Sequence, residues 1–174
     1  MQIINTWLTS ACLGLLSLAS TPSIVEPTSA LEKKTKILVI VNKSNPIDAL
    51  SIAQVRHLFL RKDLTWERVL TKARGKKKKG SFSYAEKVRP IEFTRTVENR
   101  LFLKHVLEKD KDALERHWIK LQYQSAIRRP KRVGTPERVL KYTSALKGCI
   151  GFINADALRE VDKKRVKVVL VLEL

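Results

Sequence analysis

An alternation of apolar, β-branched runs with amphipathic helical segments is the feature that most constrains this chain. Residues 36–42 (KILVIVN) form a continuous apolar run, which is typical of a strand buried on both faces. Further strand patterns occur at 88–93, 149–153 and 166–172, with helical periodicity between them. Strands that alternate with helices predict an α/β domain with about four strands.

The helical segments carry recognisable start and stop residues. Ser51 is expected to cap a first helix, and Thr94 or Thr96 a second. Thr135, which is followed by proline, begins a later helix that Gly148 is expected to end. The positions predicted to face the core from these helices and from one near 113–121 are Ile52, Val55, Leu58, Phe59, Leu101, Phe102, Val106, Leu107, Ala113, Leu114, Trp118, Leu121, Val139, Leu140, Thr143 and Leu146.

The first thirty residues differ in composition from the rest. They contain one charged residue, Glu26, whereas residues 31–174 contain all 35 Lys and Arg and 16 of the 17 Asp and Glu. An apolar stretch at 7–19, too short to span a bilayer, precedes small residues, although no positive charge comes before it. We expect residues 1–30 to be a secretory signal peptide and 31–174 to be one domain. An N-terminal helix of that domain, or a wrongly set start codon, is the alternative.

The chain is strongly basic, with a formal net charge of +18, and two runs concentrate the charge. Residues 72–80 hold six positive charges in nine, and residues 128–132 hold four in five. Both are expected to be loops, either simply solvated or in contact with a polyanion or an anionic membrane surface through counterion release. The residues of this predicted basic surface are Lys76, Lys77, Lys78, Lys79, Arg128, Arg129, Lys131 and Arg132.

Several chemical functions lack their motifs in this sequence. The two cysteines exclude a disulfide scaffold, and three histidines without ligand spacing give no metal site. No glycine-rich phosphate loop, serine-centred elbow or isolated acidic pair occurs. Cys149, inside an apolar stretch, is expected to be a buried hydrophobe and not a nucleophile. We therefore predict a protein that is not an enzyme and needs no cofactor.

Four segments, in the same order, resemble a known family. They are ILVIVNKSNPIDALSIAQVRHLFLRKDLTW, VRPIEF, TRTVENRLFLKHVL and TPERVLKYTSALKGCIGFI, and together they span roughly residues 36–172. This order is similar to the second lobe of the phosphate-binding proteins of bacterial phosphate ABC importers, and to short secreted relatives of them. The resemblance implies a single lobe of a periplasmic-binding-protein type 2 fold, with a small mixed sheet flanked by helices, in the periplasm or secreted. It also makes residues 72–80 an insertion.

The resemblance implies an anion site at the start of the second helix. The family has a Gly-Ser-Gly-Thr loop there, and this chain has Thr94, Arg95, Thr96 and Arg100 in its place. Hydroxyl groups, guanidinium groups and the free N–H groups of a helix start are suited to an oxyanion. This chain departs from the family by losing the glycines and by adding the carboxylate of Glu98. Thr96 also has the simpler interpretation of a helix cap.

A second group of candidate residues, Ser44 and Asn45, lies on the turn after the first strand. Open α/β sheets bind ligands outside the carboxyl ends of their strands, and this turn follows such an end. Turn formation alone is the alternative role of both residues. The Phe-Leu-Gly that follows in the family is Phe59-Leu60-Arg61 here.

Three functions remain open at the level of sequence. The first is binding of phosphate or a related oxyanion, and the second is an envelope interaction or assembly module that kept the fold. The third is binding of a polyanion by the basic runs. A receptor of this type needs two lobes to enclose its ligand, whereas this chain has the length of about one. Any small-anion site here is therefore expected to be open to water.

Overall fold

The computed structural model describes residues 35–69, 86–94 and 96–174. The predicted signal peptide, the basic run 72–80 and Arg95 lie outside these residues. The described chain contains one mixed sheet in the order β3-β2-β4-β1-β5. Its strands are β1 (Lys36–Asn42), β2 (Arg89–Phe93), β3 (Lys131–Val133), β4 (Cys149–Asn154) and β5 (Val166–Glu173).

Strand β1 runs opposite to the other four strands. It pairs antiparallel with both β4 and β5, whereas β2 pairs parallel with β3 and β4. The carboxyl ends of β2, β3, β4 and β5 therefore lie at one edge of the sheet. We call this the carboxyl edge, and the edge where these four strands begin the amino edge.

The helices of the described chain are α1 (Ile52–Phe59), α2 (Val97–Phe102), α3 (Lys111–Ser125), α4 (Pro136–Ala145) and α5 (Glu160–Lys163), and a π-helical turn (Leu103–Leu107) continues α2. Three of them, α1, α2 and α4, begin where the sequence predicts. The predicted caps Ser51, Thr96 and Thr135 each accept a hydrogen bond from a backbone N–H of their own first turn. Among the described residues, no helix is long and apolar enough to cross a membrane.

Helix α4 covers one face of the sheet. Its residues Val139, Leu140 and Thr143 are buried, as the periodicity predicts. A Cβ atom on Gly151 of β4 would lie 2.6 Å from Cγ1 of Val139, so the helix lies directly on the strand at this glycine. The glycine thus sets how closely α4 approaches the sheet.

The other face carries an aromatic cluster under α1, α2 and α3. The ring centroid of Phe102 lies 3.9 Å from that of Phe152, with the rings stacked, and 4.9 Å from that of Phe59. Leu114 and Trp118 of α3 are also buried. The predicted inward position of Ile52 is wrong, because this first residue of α1 is 39% exposed. Helix α1 instead buries Val55, Leu58 and Phe59.

Strand β3 arises from a segment that the charge run predicts to be a loop. Lys131 is level with Ile91, and Val133 with Phe93, in a parallel pair. Val133 is buried while Lys131 and Arg132 are exposed. Charged side chains are common on edge strands, where they discourage pairing with other chains. Three residues with a single buried side chain give too short an alternation to predict a strand.

Gly148 does not end α4, contrary to the prediction, since the helix stops at Ala145. A Cβ atom at this glycine would lie 2.1 Å from the backbone oxygen of Lys87. The Gly148 carbonyl accepts hydrogen bonds from the indole of the fully buried Trp66 (3.1 Å) and from the backbone N–H of Arg89 (2.9 Å). Gly148 is therefore required by the close approach of the chain at the start of β4.

Candidate anion-binding site

The two groups of predicted anion-binding residues lie at opposite edges of the sheet. Val41 of β1 pairs with Ile150, which pairs with Pro90 of β2, so these three residues lie in one row. From this row β1 continues to the amino edge, where Ser44 and Asn45 follow. Strand β2 continues to the carboxyl edge, where residues 94–100 follow. The structure therefore does not bring the two groups into one site.

Ser44 and Asn45 take part in a hydrogen-bonded turn. The side chain of Asn42 accepts from the backbone N–H (2.9 Å) and the hydroxyl (2.7 Å) of Ser44. The same side chain donates to the carbonyls of Thr143 and Ser144, which joins the turn to α4. Asn45 is 1% exposed, and its side-chain oxygen accepts from Ile47 N at 3.0 Å. These bonds account for a structural role of both residues, and binding of an anion by them stays a prediction.

At the carboxyl edge, the protein's own groups engage both of the predicted hydroxyl groups. The Thr94 hydroxyl donates to the carbonyl of Val133 at 3.3 Å, and the Thr96 hydroxyl accepts from Asn99 N at 3.1 Å. Arg100 is exposed, and Arg95 lies outside the described residues. Anion binding by this group also stays a prediction.

Glu98 places a negative charge in this same group. Its carboxylate accepts a hydrogen bond from the side chain of Asn154 at 2.9 Å. Burial alone would raise the pKa of Glu98, but hydrogen bonds from Asn154, from its own backbone N–H and from Thr96 hold this pKa below its usual value. The start of α2 therefore already has an anionic partner within the chain.

The amino edge carries a cleft of about 390 Å³ that we call the basic cleft. Among its described lining residues are six cationic side chains and no Asp or Glu. The cationic side chains are Arg61, Lys87, Arg89, Arg128, Arg129 and Lys131. They come from the end of α1, the start of β2 and the connection from α3 into β3.

The floor of the basic cleft is apolar. Pro90, Ile91 and Leu146 line it together with the buried Cys149. Burial raises the pKa of the Cys149 thiol to about 11, so this sulfur is a poor nucleophile at neutral pH, as predicted for a buried hydrophobe. No group of three or more metal-ligating side chains occurs in the described part of the chain.

Only one of the six cations has a carboxylate partner within the described residues. Arg129 pairs with Glu115 through two hydrogen bonds, of 2.9 and 3.1 Å. Arg132 of the predicted basic surface does not line the cleft and pairs with Glu115 and Glu92. Glu86 comes near Gly148 but is not a lining residue. Residues 70–85, which the structure does not describe, contain no Asp or Glu in their sequence.

Arg61 combines three unfavourable features. Its backbone is left-handed (φ 59°), a conformation that costs an ordinary L-residue about 1–2 kcal/mol. Burial lowers the pKa of its guanidinium, which has no carboxylate partner among the described residues. Its Nη1 donates to the Val88 carbonyl at 2.5 Å, while its buried Nε finds no hydrogen-bond partner in the described chain.

The sequence does contain a signal for Arg61, although charge and periodicity do not reveal it. Arg61 follows the last turn of α1, where a left-handed residue is usually glycine, and the resembling family has glycine there. Sequence patterns also miss Lys87, Arg89 and Tyr142, because only the packing of α4 on the sheet brings these residues to the same cleft. The predicted basic residues Arg128, Arg129 and Lys131 do line the cleft, and the ammonium group of Lys131 lies 3.9 Å above the Tyr142 ring.

Comparison with known proteins finds the fold in solved structures only. No protein-family model matches this chain, and no curated protein is similar to it in sequence. An ABC-type phosphate transport receptor from Vibrio cholerae superposes with a TM-score of 0.52 at 14% identity, over 78% of this chain and 46% of the receptor. PstS from Borrelia burgdorferi superposes with a TM-score of 0.54 at 12% identity, over 78% of this chain and 47% of that protein.

These likenesses confirm the predicted fold class. The chain has the α/β fold found in part of these phosphate-binding proteins, with a mixed sheet of five strands where about four are predicted. It spans less than half the length of the receptors that it matches. At 12–14% identity the similarity extends to the fold alone.

Proposed function

We propose that this protein binds phosphate or a related oxyanion, without catalysing a reaction, and that the basic cleft is the binding site. We further propose that it acts in the periplasm or outside the cell, after removal of residues 1–30. The observation that carries the proposal is Arg61, a partly buried guanidinium without a described counter-ion, in a strained backbone, among five other cations.

The physical argument rests on what such a residue costs the folded state. An unpaired charge taken out of water is unfavourable, and neighbouring charges of the same sign make it more so. Glycine at this position would remove both the charge and the backbone strain. A bound oxyanion offsets the charge through charge-assisted hydrogen bonds, which are about twice as strong as neutral ones. Strain of this kind is often retained at functional sites.

Helix α4 does not account for the cations of the cleft. Tyr142 and Leu146, which line the cleft, belong to the last turn and the C-cap of α4. A helix C-terminus carries roughly half a negative charge and so favours nearby cations. Half a charge offsets only a small part of six cationic side chains, five of which have no described carboxylate partner. The remaining excess of positive charge favours binding of an external anion.

The fold likeness supports the choice of phosphate. The Vibrio cholerae protein with the same fold is a phosphate transport receptor. Arg89, Arg128 and Lys131 of the basic cleft are exposed, so we expect a binding site that is open to solvent and of modest affinity. The start of α2, with Thr94, Thr96 and Arg100, is the competing position for the same ligand, and charge-removing variants at the two positions distinguish them.

The test is thermal unfolding of the full chain in phosphate, sulfate, arsenate and chloride at matched ionic strength. A ligand that binds only the folded state stabilises it by RT ln(1 + [L]/Kd), about 2.7 kcal/mol at 100 times the Kd. Arg61→Gln and Arg100→Gln each remove one positive charge, the first in the basic cleft and the second at the carboxyl edge. We expect a saturable shift for one oxyanion that is lost in Arg61→Gln and kept in Arg100→Gln.

Other outcomes contradict the proposal. Loss of the shift in Arg100→Gln alone would place the site at the start of α2. Equal small shifts for all multivalent anions would mean only screening of a basic surface. Oxyanion binding would then give way to the second candidate function, an envelope interaction module. The observation in favour of that candidate is that the chain covers only 46–47% of the receptors that it matches. Binding of a polyanion by residues 72–80 is a third function, and steep loss of binding with added salt would reveal it.

A further inference from the structure

We infer that the ligand of the basic cleft carries at least two linked phosphate groups, as in pyrophosphate or tripolyphosphate. This inference rests on the proposed function and narrows the ligand within it. It comes from the size of the cleft, from its unbalanced charge and from the separation of its cations.

The cleft is much larger than one phosphate ion. Its volume of about 390 Å³ lies in the range of pockets for small organic ligands, roughly 300–1,000 Å³. At about 30 Å³ for each water, it has room for on the order of a dozen waters. Orthophosphate has five non-hydrogen atoms and would fill a small part of this space. A ligand of several linked phosphate groups would fill more of the cleft.

The charge of the cleft also exceeds what one phosphate can balance. Five of its cations, Arg61, Lys87, Arg89, Arg128 and Lys131, have no carboxylate partner among the described residues. A phosphate monoester carries about −1.5 to −2 at pH 7, so orthophosphate would leave roughly three of these charges uncompensated. Two or three linked phosphates bring the ligand's charge close to that of the cleft.

Four of the unpaired cations lie on two neighbouring strands or just before them, and Arg61 follows the end of α1. Lys131 at the start of β3 is level with Ile91, so Arg89 lies two residues before that row on β2. With about 3.3 Å per residue and about 4.8 Å between strands, the two backbone positions are roughly 8 Å apart. Arg61 donates a hydrogen bond to the carbonyl of Val88, which lies between Lys87 and Arg89, whereas Arg128 is three residues before Lys131 in the chain. Linked phosphates can contact both groups at once.

The single aromatic ring among the described lining residues of the cleft is already covered. The ammonium group of Lys131 lies 3.9 Å from the centre of the Tyr142 ring. Bases of nucleotides and single-stranded nucleic acids are held largely by stacking on such rings. With this face occupied, the cleft favours a ligand that is recognised by its phosphates.

The experiment is calorimetric titration of the full chain with orthophosphate, pyrophosphate and tripolyphosphate at constant ionic strength. We expect one site and a Kd at least tenfold lower for pyrophosphate than for orthophosphate. Arg128→Gln should remove most of this preference, because it should raise the Kd for pyrophosphate by a larger factor than the Kd for orthophosphate. Arg116→Gln is the matched control, because it removes the same charge from a position of α3 outside the cleft.

Each remaining outcome has a defined meaning. Orthophosphate binding with less than a threefold gain for pyrophosphate would overturn this inference and leave the proposed function intact. No saturable binding of either anion would overturn both. Equal effects of Arg128→Gln and Arg116→Gln, or loss of pyrophosphate binding when residues 76–79 are changed to glutamine, would take the ligand out of the cleft and refute the inference.

Discussion

Replacing Arg61 by glycine should separate the stability of the fold from its function. The change relieves a left-handed backbone conformation worth about 1–2 kcal/mol. Against this, it removes the hydrogen bond from Nη1 to the Val88 carbonyl, about 1 kcal/mol net, and adds about 0.5–1 kcal/mol of chain entropy to the unfolded state. We therefore expect the free energy of unfolding to change by no more than about 1 kcal/mol.

Oxyanion binding should fall sharply in the same variant. Loss of a hydrogen bond between charged partners costs about 1.5–3 kcal/mol, which raises the Kd about 10- to 150-fold. Urea unfolding gives the stability, and calorimetric titration with phosphate gives the Kd. Arg61→Gln is the control, because it removes the charge and keeps the strained backbone, so it should lose binding without gaining stability. A fall in the unfolding free energy of Arg61→Gly by more than about 2 kcal/mol, or unchanged binding, would refute this account of Arg61.

Two further predictions concern the framework of the cleft. Gly148→Ala places a methyl group 2.1 Å from the backbone oxygen of Lys87. It should therefore lower the free energy of unfolding, measured in urea, by about 1–3 kcal/mol or more. A change within about 0.5 kcal/mol would contradict the close approach. Hydrogen bonds from Arg129 and Arg132 lower the pKa of Glu115 from 4.5 to about 2 in the folded state. This carboxylate therefore stabilises the folded state above about pH 4.5, and the stabilisation is lost as the pH falls towards 2. Unfolding followed across this range should be less sensitive to pH in Glu115→Gln, and equal slopes for the two proteins would argue against the pairing.

Local sequence signals predict most of the fold. The apolar run at 36–42 gives β1 with its observed bounds, and Ser51 and Thr135 give the starts of α1 and α4, because these signals depend on neighbouring residues. Strand β3 escapes such signals, since its pairing with β2 outweighs the weak pattern of three residues. Its place in the sheet depends on contacts distant in sequence.

The candidate site is harder to predict, because it depends on strand direction. The turn at Ser44 follows the end of a strand, but β1 runs antiparallel to its neighbours and carries that turn away from Thr96. The residues of the basic cleft come from α1, β2 and the segment before β3, and no spacing in the sequence connects them. Arg61 stands out only when its position after the last turn of α1 is compared with the glycine that usually follows a helix.

A crystal structure of the protein grown with arsenate would test the central claim most directly. Arsenate has the shape and charge of phosphate, and the anomalous scattering of arsenic locates it without bias from the surrounding side chains. We predict an arsenic peak in the basic cleft, within hydrogen-bonding reach of Arg61 and Arg89. A peak at the start of α2, beside Thr96 and Arg100, with an empty cleft, would contradict the account.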